Sequence, residues 1–168
     1  MIATPTSDTT AHHLGAHDFD FLHGSWAVRH RRLKKRLAGS DDWAEFDGES
    51  STRPILGGAG NIEDNLIGLP EGAYRAVALR SHDAASGNWA IWWLDGRSPH
   101  RLDVPVVGRF ENGLGAFFAE DVFEGRAIRV RFLWRVIDQG NCRWEQAFSP
   151  DAGKSWETNW TMDFSRRA

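Results

Sequence analysis

From Ser25 onward, apolar and polar positions alternate with a period of two in short segments separated by Gly, Asn, Asp and Pro. This is the pattern of strands joined by tight turns. It is clearest from Arg126 to Val136, where Ile128, Val130, Phe132, Trp134 and Val136 share one face while Arg129, Arg131 and Arg135 share the other. Such a strand has one dry face and one that is solvated or ion-paired. Similar strands are predicted at about 25–34, 43–53, 61–68, 74–82, 88–95, 102–110, 115–123, 142–149 and 157–164. That makes roughly ten strands, and no long helical stripe interrupts them. Turn residues mark the cuts: Ala85-Ser86-Gly87-Asn88, Glu111-Asn112-Gly113, Glu124-Gly125 and Asp138-Gln139-Gly140-Asn141 all tolerate positive φ. The predicted fold is therefore all-β: an antiparallel, up-and-down barrel in which the last strand pairs with the first and no edge is left open.

The segment Asp18-Phe19-Asp20-Phe21-Leu22-His23-Gly24 begins with a capping residue and clusters apolar side chains. It is read as a short helical turn that plugs one barrel end with Phe19, Phe21 and Leu22. Residues 1–17, rich in Ala, Thr, Ser and His, are read as a disordered tail ahead of a barrel domain spanning residues 18–168.

The run Phe19-Asp20-Phe21-Leu22-His23-Gly24-Ser25-Trp26 contains a Gly-x-Trp at the opening of the first strand. Together with Trp144-Glu145-Gln146 and Glu157-Thr158-Asn159-Trp160 it resembles a family of uncharacterised bacterial lipocalin-like, calycin-type β-barrel proteins, over about residues 18–166. The resemblance implies the fold, with the Trp packed across the closed end, and an interior pocket. It carries no catalytic residue.

Length and charge narrow the function classes. A chain of 168 residues fits one domain. With 20 Lys plus Arg against 23 Asp plus Glu, the net charge of −3 provides no overall attraction for nucleic acid or anionic lipid, so neither nucleic acid nor membrane is expected as a partner. Cys142 is the only cysteine, which excludes an internal disulfide and a cysteine-based metal site. The opening stretch has neither a basic start followed by an apolar core nor a run long enough to span a bilayer, and a cytoplasmic protein is expected.

Several motifs read as structure. Ser149-Pro150-Asp151-Ala152-Gly153-Lys154-Ser155-Trp156 fits the Asp-box pattern of sialidase-like propellers, where it is a hairpin turn; one copy in a short chain makes no propeller. Leu56-Gly57-Gly58-Ala59-Gly60-Asn61 lacks the ending of a phosphate loop and precedes a strand, so it is read as a bulge or a mouth loop. His30-Arg31-Arg32-Leu33-Lys34-Lys35-Arg36 is read as a solvated hairpin paired to Asp41, Asp42 and Glu45. The seven histidines show no metal-binding spacing, and no metal or other cofactor is expected. Haem, for which one inward His would suffice as axial ligand, has no support beyond the fold.

The chemistry resides in the nine Trp and ten Phe. Trp26, Trp134, Trp144, Trp160 and one of the pair Trp92 and Trp93 are expected on inward faces, where they either fill the barrel or wall a flat apolar pocket. Polar residues on the same faces are candidate anchors: His30 beside Trp26 and Val28, and Gln146 beside Trp144 and Phe148, with Arg80, Arg131 and Glu145 as charged alternatives. The candidate ligand set is Trp26, His30, Arg80, Trp92, Arg131, Trp134, Gln146 and Trp160. The leading expectation is a protein that holds a hydrophobic or aromatic small molecule. The alternatives are an isomerase or cyclase with His30 or Glu145 as general acid or base, and a ligand-free interaction domain pairing as a homodimer through exposed tryptophan faces.

Overall fold

The structure, a computed structural model, describes residues 15–168. Ten strands follow one another: β1 Gly24–Leu33, β2 Trp43–Ile55, β3 Gly60–Leu69, β4 Gly72–Asp83, β5 Asn88–Asp95, β6 Val106–Glu111, β7 Leu114–Phe123, β8 Arg126–Asp138, β9 Asn141–Ser149 and β10 Glu157–Arg166. Each pairs antiparallel with its neighbour in sequence, and β1 pairs with β10, so the sheet closes into a barrel. The predicted fold class holds, and closure leaves no row of unpaired backbone groups. Among the described residues, no helix is long and apolar enough to cross a membrane.

One boundary differs from expectation. The strand predicted from residue 102 begins at Val106, and residues 96–105 form a connection that touches the sheet only through a bridge between Leu94 and Leu102. Pro99 and Pro105 lie in this stretch, and a proline has no N–H to donate to a ladder.

The end of the barrel around Trp26 is solid. A 3-10 turn over Asp20–Leu22 inserts Phe19 and Leu22, both essentially without solvent exposure. Phe19 packs against Trp89, Phe110, Phe117 and Trp134 at ring separations of 5.0–5.9 Å. The turn has no side-chain cap, contrary to the capping role expected of Asp18. Its carbonyls are instead satisfied by two residues of the barrel. Trp26 Nε1 donates to Leu22 O at 2.8 Å. Arg166 reaches from β10 to donate to Phe21 O and His23 O at 2.6 Å each, lying 4.1 Å from the Trp26 ring. Of the expected tail, residues 1–14 lie outside the described residues, while Gly15 O accepts a bond from Trp89 Nε1 at 2.9 Å.

The hairpins between β1 and β2, β3 and β4, β5 and β6, β7 and β8, and β9 and β10 gather at the opposite end. The glycine-rich Leu56–Gly60 joins β2 to β3 at the plugged end, so its reading as a mouth loop is corrected. The Asp-box is the β9–β10 hairpin. Asp151 accepts from Ser155 N at 2.8 Å and Ser155 Oγ at 2.5 Å, which with the Ser149 hydroxyl holds its carboxyl at about 2, well below the usual range. Gly153 takes φ +91°, a left-handed conformation that favours glycine.

Candidate functional site

The inward faces of β2, β3 and β4 carry polar side chains midway down the barrel. Arg80 sits opposite Asn61 in the β3–β4 ladder, and its guanidinium donates to Asn61 Oδ1 at 2.9 Å and to Glu63 Oε2. Ser50 Oγ donates to the second Glu63 oxygen at 2.8 Å. Arg80 and Glu63 are both about 2% exposed, and Phe19 and Trp134 flank the guanidinium at 5.1 and 5.2 Å. A buried charge needs this degree of pairing. Arg80 is therefore an inward residue, as expected, but Asn61 and Glu63 take bonds from its Nη1 and Nη2, and its buried Nε has no partner among the described residues. Neither partner was anticipated, because Asn61, Glu63 and Asn65 alternate with Ile62, Asp64 and Leu66 in a pattern that names no core face.

Above this belt the barrel is open. A cavity of about 270 Å³ lies between it and the mouth hairpins. Trp93, Trp144, Trp160, Phe132, Phe148 and Tyr74 wall it. The aromatic rings meet edge to face in a chain: Phe132 to Trp144 at 4.9 Å, Trp144 to Trp160 at 5.5 Å, and Trp160 to Trp93 at 6.0 Å. This geometry suits ring quadrupoles and holds the flat walls apart. Aromatic filling and aromatic cavity are thus both present, in opposite halves of one barrel.

Gln146 lines the cavity, and its Nε2 donates to Asn159 Oδ1 at 2.8 Å. A bulge between Thr158 and Trp160 supplies Asn159 as an extra, fully buried residue. The amide is thereby oriented, and Gln146 Oε1 takes no bond from the described residues. Trp160 donates its Nε1 to His30 Nδ1 at 3.2 Å. His30, 1% exposed, stacks on Phe46 at 4.9 Å and lies behind Trp160 rather than in the cavity lining. Burial, with a lesser contribution from Arg32, lowers His30 to about 4 and keeps it neutral. Gly48 makes room for it, since a Cβ there would approach His30 Nε2 to 2.7 Å and Leu66 O to 2.6 Å.

The candidate ligand residues therefore separate. Gln146 and Trp160 are on the cavity. Trp26 and Trp134 belong to the plugged half, where Trp26 is bonded to the plug. Trp92 is corrected to the outer face, because Trp89, Ile91 and Trp93 take the inward positions of β5. Arg131 is also outward, 4.5 Å from the Trp156 ring. Glu145 is outward too, paired with Arg143 at 2.9 Å and Arg135 at 3.7 Å. Neither acid–base candidate, His30 nor Glu145, reaches the cavity.

The basic run was only half described by the hairpin reading. Its outward members do take carboxylates: Arg31 approaches Glu45 at 3.7 Å and Lys34 approaches Asp42 at 2.9 Å. Its inward members, Arg32 and Arg36, line the cavity. Arg32 continues the alternation of Trp26, Val28 and His30, whereas Lys34 has the same parity yet pairs with Asp42, and Arg36 lies beyond the end of β1, where no strand pattern announces its direction. Among the described residues, no group of His, Cys, Asp or Glu is placed to hold a metal ion. Cys142 is buried in the plugged half, its thiol pushed up to about 12 mainly by that burial.

Fold and cavity together define an up-and-down antiparallel barrel of ten strands, open at one end and plugged at the other. The S-type phycobiliprotein lyase CPES from Guillardia theta matches it with a TM-score of 0.50 and 7% identity, over 98% of this chain and 99% of that chain. At such low identity the likeness establishes a shared fold. No protein-family model and no curated protein matches the chain.

Proposed function

We propose that this barrel is a small-molecule-binding protein that takes a one- or two-ring aromatic compound into the cavity above the polar belt. The observation that carries the reading is the aromatic chain Phe132–Trp144–Trp160–Trp93 around an open volume of about 270 Å³. A cavity of about 150 Å³ holds a benzene, so this one has room for about two fused rings, at the small end of ligand sites. Gln146, oriented by Asn159, is the polar anchor inside the apolar wall. The phycobiliprotein lyase neighbour is compatible with a barrel devoted to small-molecule chemistry. The resemblance of Phe19 to Trp26 to bacterial lipocalin-like proteins agrees with the same reading.

The test is a screen of one- and two-ring aromatic compounds, neutral and charged, by tryptophan fluorescence and thermal shift. Saturable quenching with a rise in melting temperature is expected for a subset of them. Trp144→Ala is expected to weaken that binding at least about tenfold, the loss of one stacking wall. Absence of saturable binding across the set overturns the proposal.

A further inference from the structure

The charges at the cavity mouth go further than its apolar walls. Arg32 lies 4.6 Å from the Trp160 ring, and Arg36 lies 5.7 Å from Phe148 and 5.9 Å from Phe123. Both are half-buried, and neither makes an ion pair among the described residues. In the same run Arg31 and Lys34 each approach a carboxylate, as does Arg29 just before it, while Lys35 is exposed to solvent. Burial lowers both guanidiniums from their usual range, and at Arg36, brought to about 10, the charge of Arg32 adds to the effect. Two desolvated cations that repel each other across a cavity mouth are stabilised by an anion placed between them. Arg32 also meets the Tyr74 hydroxyl, and stacking on the rings leaves the remaining N–H edges of both guanidiniums available for in-plane donation.

The other mouth charges do not fill this role: Glu157 and Glu124 act on Arg36, and Asp95 on Arg32, only from beyond ion-pair distance, and Glu157 Oε1 accepts from Leu37 N at 2.7 Å. Arg97 is committed to Asp95, with Nη2 to Oδ2 at 2.7 Å and Nε to Oδ1 at 3.0 Å, and covers Tyr74 at 3.7 Å. Arg101 has no such ring beneath it and is exposed. Asp103 and Asp121 border the cavity from the β5–β6 connection and β7, across the barrel from β1.

We propose that Arg32 and Arg36 form an anion clamp, so that the ligand is a small planar organic acid whose ring lies among Trp93, Trp144 and Trp160 and whose carboxylate meets both guanidiniums. This rests on the cavity being a binding site, and the experiment separates the two claims. The full-length protein is titrated at low salt with 1-naphthoate, the neutral 1-naphthamide and the cationic 1-naphthylmethylammonium, followed by tryptophan fluorescence. The acid is expected to bind at least about tenfold tighter than the amide. Arg32→Gln and Arg36→Gln are each expected to lower the ratio of acid to amide affinity about tenfold, and an unchanged ratio overturns the clamp. Equal affinity for acid and amide, or preference for the ammonium, overturns the clamp while the binding cavity stands. Failure of all three probes overturns the clamp, and failure of the wider aromatic screen overturns the binding cavity with it. Should a variant melt early, the wild-type protein decides: added salt weakens the acid but not the amide if the clamp is real, and affects them alike if it is not.

Discussion

His30 illustrates how a residue with the right chemistry is spent on positioning. Its Nδ1 accepts the Trp160 indole proton, which requires the neutral ring, and burial takes its pKa to about 4. Between that value and the ordinary 6.5, the unfolded chain binds a proton that the folded one does not. Stability therefore rises with pH across this window and is lost as pH falls through it, by about 3 kcal/mol in all. His30→Gln is expected to flatten the dependence of melting temperature on pH between 6.5 and 4; an unchanged slope would place the acid sensitivity elsewhere. The inward face of His30 followed from alternation with Trp26 and Val28, but its partner is 130 residues away and left no local trace. Trp92 and Trp93 present the opposite difficulty. Adjacent identical residues give a period-two pattern no asymmetry, and only the ladder with β4 decides which one faces in.

At the level of elements, strand limits were readable because turn residues with positive φ stand between nearly all of them, Asn112-Gly113 and Glu124-Gly125 being examples. The connection over residues 96–105 was harder, since Leu102, Val104 and Val106 keep a strand-like alternation while the flanking prolines withhold their donors. The cavity-lining guanidiniums were hidden for a related reason: a dense basic run reads as solvated, and Arg32, Lys34 and Arg36 share one parity, so alternation alone does not separate the two that line the cavity from the one that pairs with Asp42. The plug was legible from clustered aromatics, although its tether to Arg166 was not. Its contribution is large for so short an element. Phe19→Ala removes a buried ring with five aromatic neighbours, and is expected to cost about 3–5 kcal/mol in chemical denaturation. A cost under about 1 kcal/mol would mean that the barrel closes without its plug.

For the molecule as a whole, the Arg80–Glu63 pair is the feature on which the two halves meet. Removing one charge leaves the other buried, so Glu63→Gln is expected to destabilise by about 3–5 kcal/mol. Replacing both by apolar residues, Glu63→Leu with Arg80→Met, is expected to recover most of that loss, and a double-mutant cycle by urea denaturation measures the coupling. Additive effects would show that the pair is not energetically linked. Beside the belt, a void of about 20 Å³ is shared by cavity walls Trp93, Phe132 and Trp144 and by Trp134 and Phe164 of the plugged half, so the two halves form one continuous core. Gln146 and Arg36 line the cavity without touching that shared void, so replacing them is expected to retune what the mouth accepts at little cost to the packing around Phe19, whereas a change at Trp93 is felt on both sides.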